Sequence, residues 1–178
     1  MHASPTQLPV HPYPLVRTAG PFLLLIGLGI FLATLLGSGL PLRPVFYLGA
    51  GLGVTALFAL APRLSFGAPT RGQLWALGAS IALEVALFVV LANLAQTYGL
   101  RGASFWLWTL VIVGVHFLPQ AITFGPPMAL LGLLCVLNAA AGLWWGQVPF
   151  TVVGIVDGLL KMGFGLAMLR AKPVRPSQ

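Results

Sequence analysis

The sequence predicts an all-α, polytopic membrane protein, a bundle of six transmembrane helices, and three observations carry that prediction. Hydrophobic residues fill 58% of the 178 positions, charged residues only 6%, and mean hydropathy is +0.98, whereas a soluble domain carries roughly 25% charge. Apolar stretches of about 20 residues, the length that crosses a hydrocarbon core, recur between breaks marked by proline and glycine. The basic residues behind the net charge of +7 lie mostly in those breaks and at the chain ends. That placement orients a membrane protein and does not make a basic face for nucleic acid. The length suits one compact bundle lying in the lipid bilayer.

Residues 1–19 (MHASPTQLPVHPYPLVRTA) are proline-rich and lack the basic n-region and short apolar core of a cleaved signal. They read as a flexible N-terminal tail, with His2 and His11 solvated, ahead of a six-helix domain over 20–170 and a short basic tail over 171–178. The first helix spans about 21–39, with Pro21 suited to a first turn. The second covers about 45–61, where Gly49 and Gly53 form a small-xxx-small pair that permits close helix contact. A link over 62–72 (PRLSFGAPTRG) leads to the third helix, about 73–95, with Glu84 at its centre. The fourth, about 104–119, is shorter than the roughly 20 residues a span needs. Membrane helices tolerate proline, so its continuation past Pro119 stays open, with a loop expected over 121–127. The fifth helix covers about 128–145 with Asn138 near its middle, and the sixth about 150–170 with Asp157 and Lys161.

Six spans place both termini on one side. Arg17, Arg63, Arg71, Arg170, Lys172 and Arg175 fall on that side, and Arg43 and Arg101 on the other. The positive-inside rule then predicts both termini in the cytoplasm of a cell that fits a bacterial inner membrane. Trp106, Trp108, Trp144 and Trp145 fall together at the opposite face, as an interfacial aromatic belt would.

The candidate site follows from the charges inside the spans. A charge at the bilayer centre costs several kcal/mol, about 2.5–3.5 on insertion scales. Asp157 and Lys161 are four residues apart, hence on one helical face and within ion-pairing reach. Glu84 lies about 16 Å into its helix at 1.5 Å per residue, and Glu84 and Asp157 are the only acids in the chain. With His116 and Asn138, these residues are expected to form one midplane polar cluster: Glu84, His116, Asn138, Asp157 and Lys161. With Lys161 charged and both acids ionised, such a cluster would carry one net negative charge. Burial disfavours that state, so Glu84 is expected to hold a labile proton or to pair with His116. The expectation is a transport or proton-linked function. Its rival is a structural or assembly subunit, possible as a homo-oligomer through glycine-rich helix faces, in which the polar residues are fasteners. The two three-helix halves each end on a helix with a central acid, as inverted repeats do.

Other chemistries find less support. Carboxylate and imidazole from Glu84, His116 and Asp157 suit several metals, but no ligand spacing such as HExxH accompanies them, and no metal is expected. GAGLG at 49–53 lies inside a span rather than after a strand, which favours packing over phosphate binding. Ser80 stands one turn from Glu84 without the surroundings of a serine nucleophile, so no catalytic residue is assigned and an enzyme is not favoured. Cys135, the single cysteine, excludes an internal disulfide and reads as a packed thiol.

Two local resemblances add to this. Asp157-x-x-x-Lys161-x-Gly163-Phe164-Gly165-Leu166, with Leu169-Arg170, resembles the last helix of microbial rhodopsins. The resemblance implies Lys161 as a retinal attachment site and Asp157 as counter-ion. Six spans instead of seven, Gly158 and Leu160, and the lack of that family's other helix motifs depart from it. The stretch Val113-Gly114-Val115-His116-Phe117-Leu118-Pro119, a G-x-H-F-x-P motif, resembles one in small uncharacterised bacterial six-helix integral membrane proteins. That likeness implies the architecture and no activity.

Overall fold

The computed structural model describes residues 11–172; His2, Arg175 and the rest of 1–10 and 173–178 lie outside the described residues. Among the described residues are six helices and no strand: α1 (Ala19–Leu36), α2 (Arg43–Leu64), α3 (Arg71–Tyr98), α4 (Gly102–Phe124), α5 (Pro126–Trp144) and α6 (Phe150–Leu169). All six are long and apolar enough to cross a membrane. The chain is therefore a multi-pass membrane protein in architecture. The helix starts and ends shift by a few residues from the sequence expectation except in α4.

That helix runs through Pro119 to Phe124, and the loop expected over 121–127 shrinks to a turn at Gly125, whose φ of 97° is open to glycine. Pro119 removes one backbone donor without ending the helix, which membrane helices tolerate. The consequence is that Gln120 stands one turn beyond His116 on the same face.

Glycine closes several helix pairs, among them α1–α6 and α1–α2. A Cβ added at Gly27 of α1 would stand 2.7 Å from the Gly158 carbonyl oxygen of α6. One added at Gly29 would stand 2.6 Å from Gly49 Cα of α2. Backbones at that separation tolerate no side chain, and the close approach maximises dispersion contact where lipid offers no hydrophobic driving force. The Gly49 and Gly53 pair thus serves contact as expected, but within the chain: Gly53 faces Phe22 of α1.

Neighbour pairing has a regular pattern. α1 packs on α2 as α4 packs on α5, and α6 packs on α1 as α3 packs on α4. The α5–α6 interface has a counterpart only in name, since α2 and α3 make no substantial contact. The inner faces of α1, α4, α5 and α6 form the core around Leu23, Ile30, Leu110, Phe117, Met128 and Leu131. α2 and α3 expose most of their length.

The described part of the expected tail is docked. Val16 and Thr18 are buried, and His11, expected in solvent, is 9% exposed and stacked on Phe66 with ring centroids 4.8 Å apart. The Phe66 amide donates to the Pro14 carbonyl at 2.8 Å, and Arg17 Nε donates to the Leu169 carbonyl at 3.1 Å. Thr70 and Gln73 form a capping box at the start of α3, and Gln73 Nε2 also donates to the Pro12 carbonyl at 2.8 Å. These contacts, with Tyr13 against Gly125, gather the N-terminal segment, the α2–α3 link, the α4–α5 turn and the end of α6 at one end of the bundle, called the terminal end below. The aromatic belt needs a correction: Trp108, Trp144 and Trp145 are exposed, but Trp106 is buried against Phe46, 5.2 Å between centroids.

Candidate functional site

Asp157 and Lys161 sit on the face of α6 that packs into the bundle, and both side chains have no exposed area. Lys161 Nζ donates to Asp157 Oδ2 and, at 3.6 Å, to Cys135 Sγ of α5. It also lies 5.8 Å from the centroid of the Phe117 ring, on the ring's negative face. Gly154 and Gly158 draw Thr34 and Phe31 of α1 against the same helix, which fills the space beside the pair. Asp157 Oδ1 has no hydrogen-bond partner among the described residues.

A second polar group begins at His116, whose ring adjoins that of Phe117. Glu84 reaches from α3 to His116 of α4, with Oε1 3.5 Å from Nδ1. His116 Nδ1 is also 3.1 Å from the Val113 carbonyl, an acceptor, so this nitrogen carries a proton. Its other nitrogen, Nε2, is 2.8 Å from Gln120 Nε2. In the neutral ring Nε2 is an acceptor, and the Gln120 amide nitrogen is then the donor. That arrangement leaves Gln120 Oε1, on a side chain only 5% exposed, without a partner.

Glu84, His116 and Gln120 line a cavity of about 350 Å³ whose remaining wall is apolar, from Phe22 and Ile26 of α1, Val54 and Phe58 of α2, and Ile81 of α3 among others. The volume falls within the range of small-molecule sites, ~300–1,000 Å³. The arrangement offers acceptors at one point of an otherwise greasy chamber.

The five residues expected in one cluster thus fall into separate places. Glu84 meets His116; Asp157 meets Lys161; Phe117 touches both groups, its ring 4.8 Å from that of His116. Asn138 joins neither, its Nδ2 donating to the Val153 carbonyl at 2.9 Å. The metal trio weighed from the sequence is not assembled, because Asp157 stays apart from Glu84 and His116. Lys161 does not line this cavity. Sequence reasoning missed two participants. Gln120 lies four residues after His116, a spacing that becomes informative once α4 continues past Pro119. Cys135 is packed, as expected, and in addition accepts from Lys161.

No curated protein and no solved structure matches the chain. The rhodopsin likeness of the last helix accordingly stays local. A family match spans almost the whole chain, from the docked N-terminal segment through the last helix. The chain belongs to the family of unknown function DUF6609, which matches residues 8–177.

Proposed function

We propose that the protein is a small proton-linked transport protein whose working site is the Glu84–His116–Gln120 cavity. The observation that supports this most is the Glu84–His116 pair, 3.5 Å apart on the wall of a cavity large enough for a solute. An intramembrane acid is expensive unless it is paired or used. Here its partner is an imidazole, the side chain suited to taking up and releasing protons near neutral pH.

The geometry supplies two states. With a neutral imidazole, Nδ1–H points to Val113 and Glu84, and Gln120 donates to Nε2. With an imidazolium, Nε2–H becomes a donor, and a half-turn of the Gln120 amide presents Oε1 to accept it. The same three side chains then satisfy either protonation state, and Gln120 reports the change to the cavity. Asp157 and Lys161 neutralise each other away from solvent, which supports reading that half as a fixed fastener. The orientation we propose is both termini cytoplasmic in a bacterial inner membrane, supported by Arg17, Arg63, Arg71, Arg170 and Lys172 at the terminal end against Arg43 and Arg101.

Nitrogen-15 NMR of histidine-labelled protein in lipid nanodiscs tests the proton site. His116, identified by its loss in His116→Gln, should titrate between the Nδ1–H tautomer and the imidazolium, and Glu84→Gln should move that titration. A His116 signal indifferent to both pH and Glu84 would overturn the reading.

A further inference from the structure

The cavity has a side entrance. α2 and α3 follow each other in the chain yet do not pack together, in contrast to α5 and α6. The cavity lies at this gap, and Val54, Phe58 and Ile81, which line it, are also 47%, 66% and 46% exposed on the outer surface. An opening flanked by exposed apolar side chains on two membrane-length helices leads to lipid. Its occupant therefore carries an apolar body. What the head of that occupant must be follows from the acceptors on the wall: Glu84, whose Oε1 also faces His116, and the orphaned Gln120 Oε1, with no lysine or arginine among the described residues that line the cavity.

We propose that the cavity binds hydrophobic ammonium ions, entering from the bilayer between α2 and α3 in exchange for the proton on Glu84. This rests on the proton-linked reading above and names its solute class. The exchange balances without a further reactant. The amine arrives already protonated, the Glu84 O–H bond breaks, the electron pair stays on the carboxylate, and the proton leaves to the medium. The ammonium N–H bonds then reach Glu84 and Gln120 Oε1, and the apolar body fills the chamber beside Phe22 and Phe58. The surroundings leave Glu84 as the counter-ion. α1 contributes no titratable side chain, and α2 only Arg43, Tyr47 and Arg63 near its ends. Arg71 and Tyr98 close the ends of α3 itself, and His116 on α4 is the neighbour. Cys135, Asp157 and Lys161 do not line the cavity, and Lys161, 5.8 Å from the Phe117 ring centroid, is committed to Asp157.

Three probes of one shape separate the possibilities: 4-phenylbutylammonium, 4-phenylbutanol and 4-phenylbutyrate, each titrated into protein nanodiscs with empty nanodiscs subtracted. A pH-sensitive dye in weak buffer counts protons. The ammonium should bind saturably and release about one proton per molecule, with the alcohol and the carboxylate at least about tenfold weaker, the effect of one charge-assisted hydrogen bond. Glu84→Gln should abolish the release and weaken the ammonium about tenfold; Gln120→Leu should weaken it with the release intact. Asp157→Asn with Lys161→Met should change neither. Equal binding of the alcohol, or ammonium binding without proton release, overturns the proposal. If Glu84→Gln does not fold, the wild-type selectivity and proton count still decide. A responsive His116 signal with no ammonium binding sinks the solute assignment alone, whereas an indifferent His116 sinks the proton-linked reading beneath it.

Discussion

Lys161 and Asp157 are energetically one object. Removing either leaves a buried charge without its counter-ion, a loss of about 3–5 kcal/mol for pairs of this kind. Lys161→Met or Asp157→Asn alone should therefore lower stability by that order in reversible SDS unfolding, while the double variant recovers most of it. Additive losses would show that the two do not act as a pair. Glu84 differs in that its side chain keeps 24% exposure and borders a cavity. Glu84→Gln retains size and hydrogen bonding, so stability should fall by no more than about 1 kcal/mol in the same assay. A loss comparable with that of Lys161→Met would make Glu84 a fastener instead. The pairing of Asp157 with Lys161 was legible from a four-residue spacing, because helical periodicity alone brings such side chains together. The separation of Glu84 from them was not. Whether two mid-membrane charges meet depends on which helices adjoin, and that is not a local property.

Among the elements, α1 and α6 are held by backbone contact. Gly27→Leu would drive a side chain into the Gly158 carbonyl. Overpacking of this kind costs about 1–3 kcal/mol or more, and helix ends should separate in spin-label distance measurements. Gly51→Leu is the matched control: it meets nothing within 4 Å and should be neutral. The glycines of α2 advertised close contact in the sequence, and Gly49 and Gly53 are used that way, but they meet α1 rather than a second copy of the chain. Spacing of small residues tells that a helix face approaches another backbone, without naming the partner. The extension of α4 was hidden for a different reason. Pro119 is a local stop signal, and the bundle overrides it, which is why Gln120 escaped notice beside His116. The capping box of Thr70 and Gln73 lay in plain sequence and marks the start of α3 two residues earlier than hydrophobicity suggested.

At the scale of the molecule, the six spans, their order and the gathering of the N-terminal segment with the end of α6 all follow from hydropathy and alternation. What hydropathy could not show is that α2 and α3 fail to close on each other, since both are apolar over most of their surface and either would suit a lipid-facing or a packed position. The topology can be checked in a Cys135→Ala background. Cysteines placed at Ser65 and Gln147 should react with an impermeant thiol reagent from opposite sides, Ser65 from the cytoplasm; reaction from the same side would contradict the alternation of spans.

The division into a fixed pair and an exchangeable proton is the centre of this account, and infrared titration of the carboxyl groups tests it most directly. With only Glu84 and Asp157 as side-chain acids, the protonated carboxyl C=O stretch is readily assigned once the C-terminus is accounted for. The account predicts a band that titrates with pH in wild type, disappears in Glu84→Gln and survives in the Asp157→Asn, Lys161→Met double variant. A titrating band that persists in Glu84→Gln and vanishes with Asp157 would contradict it.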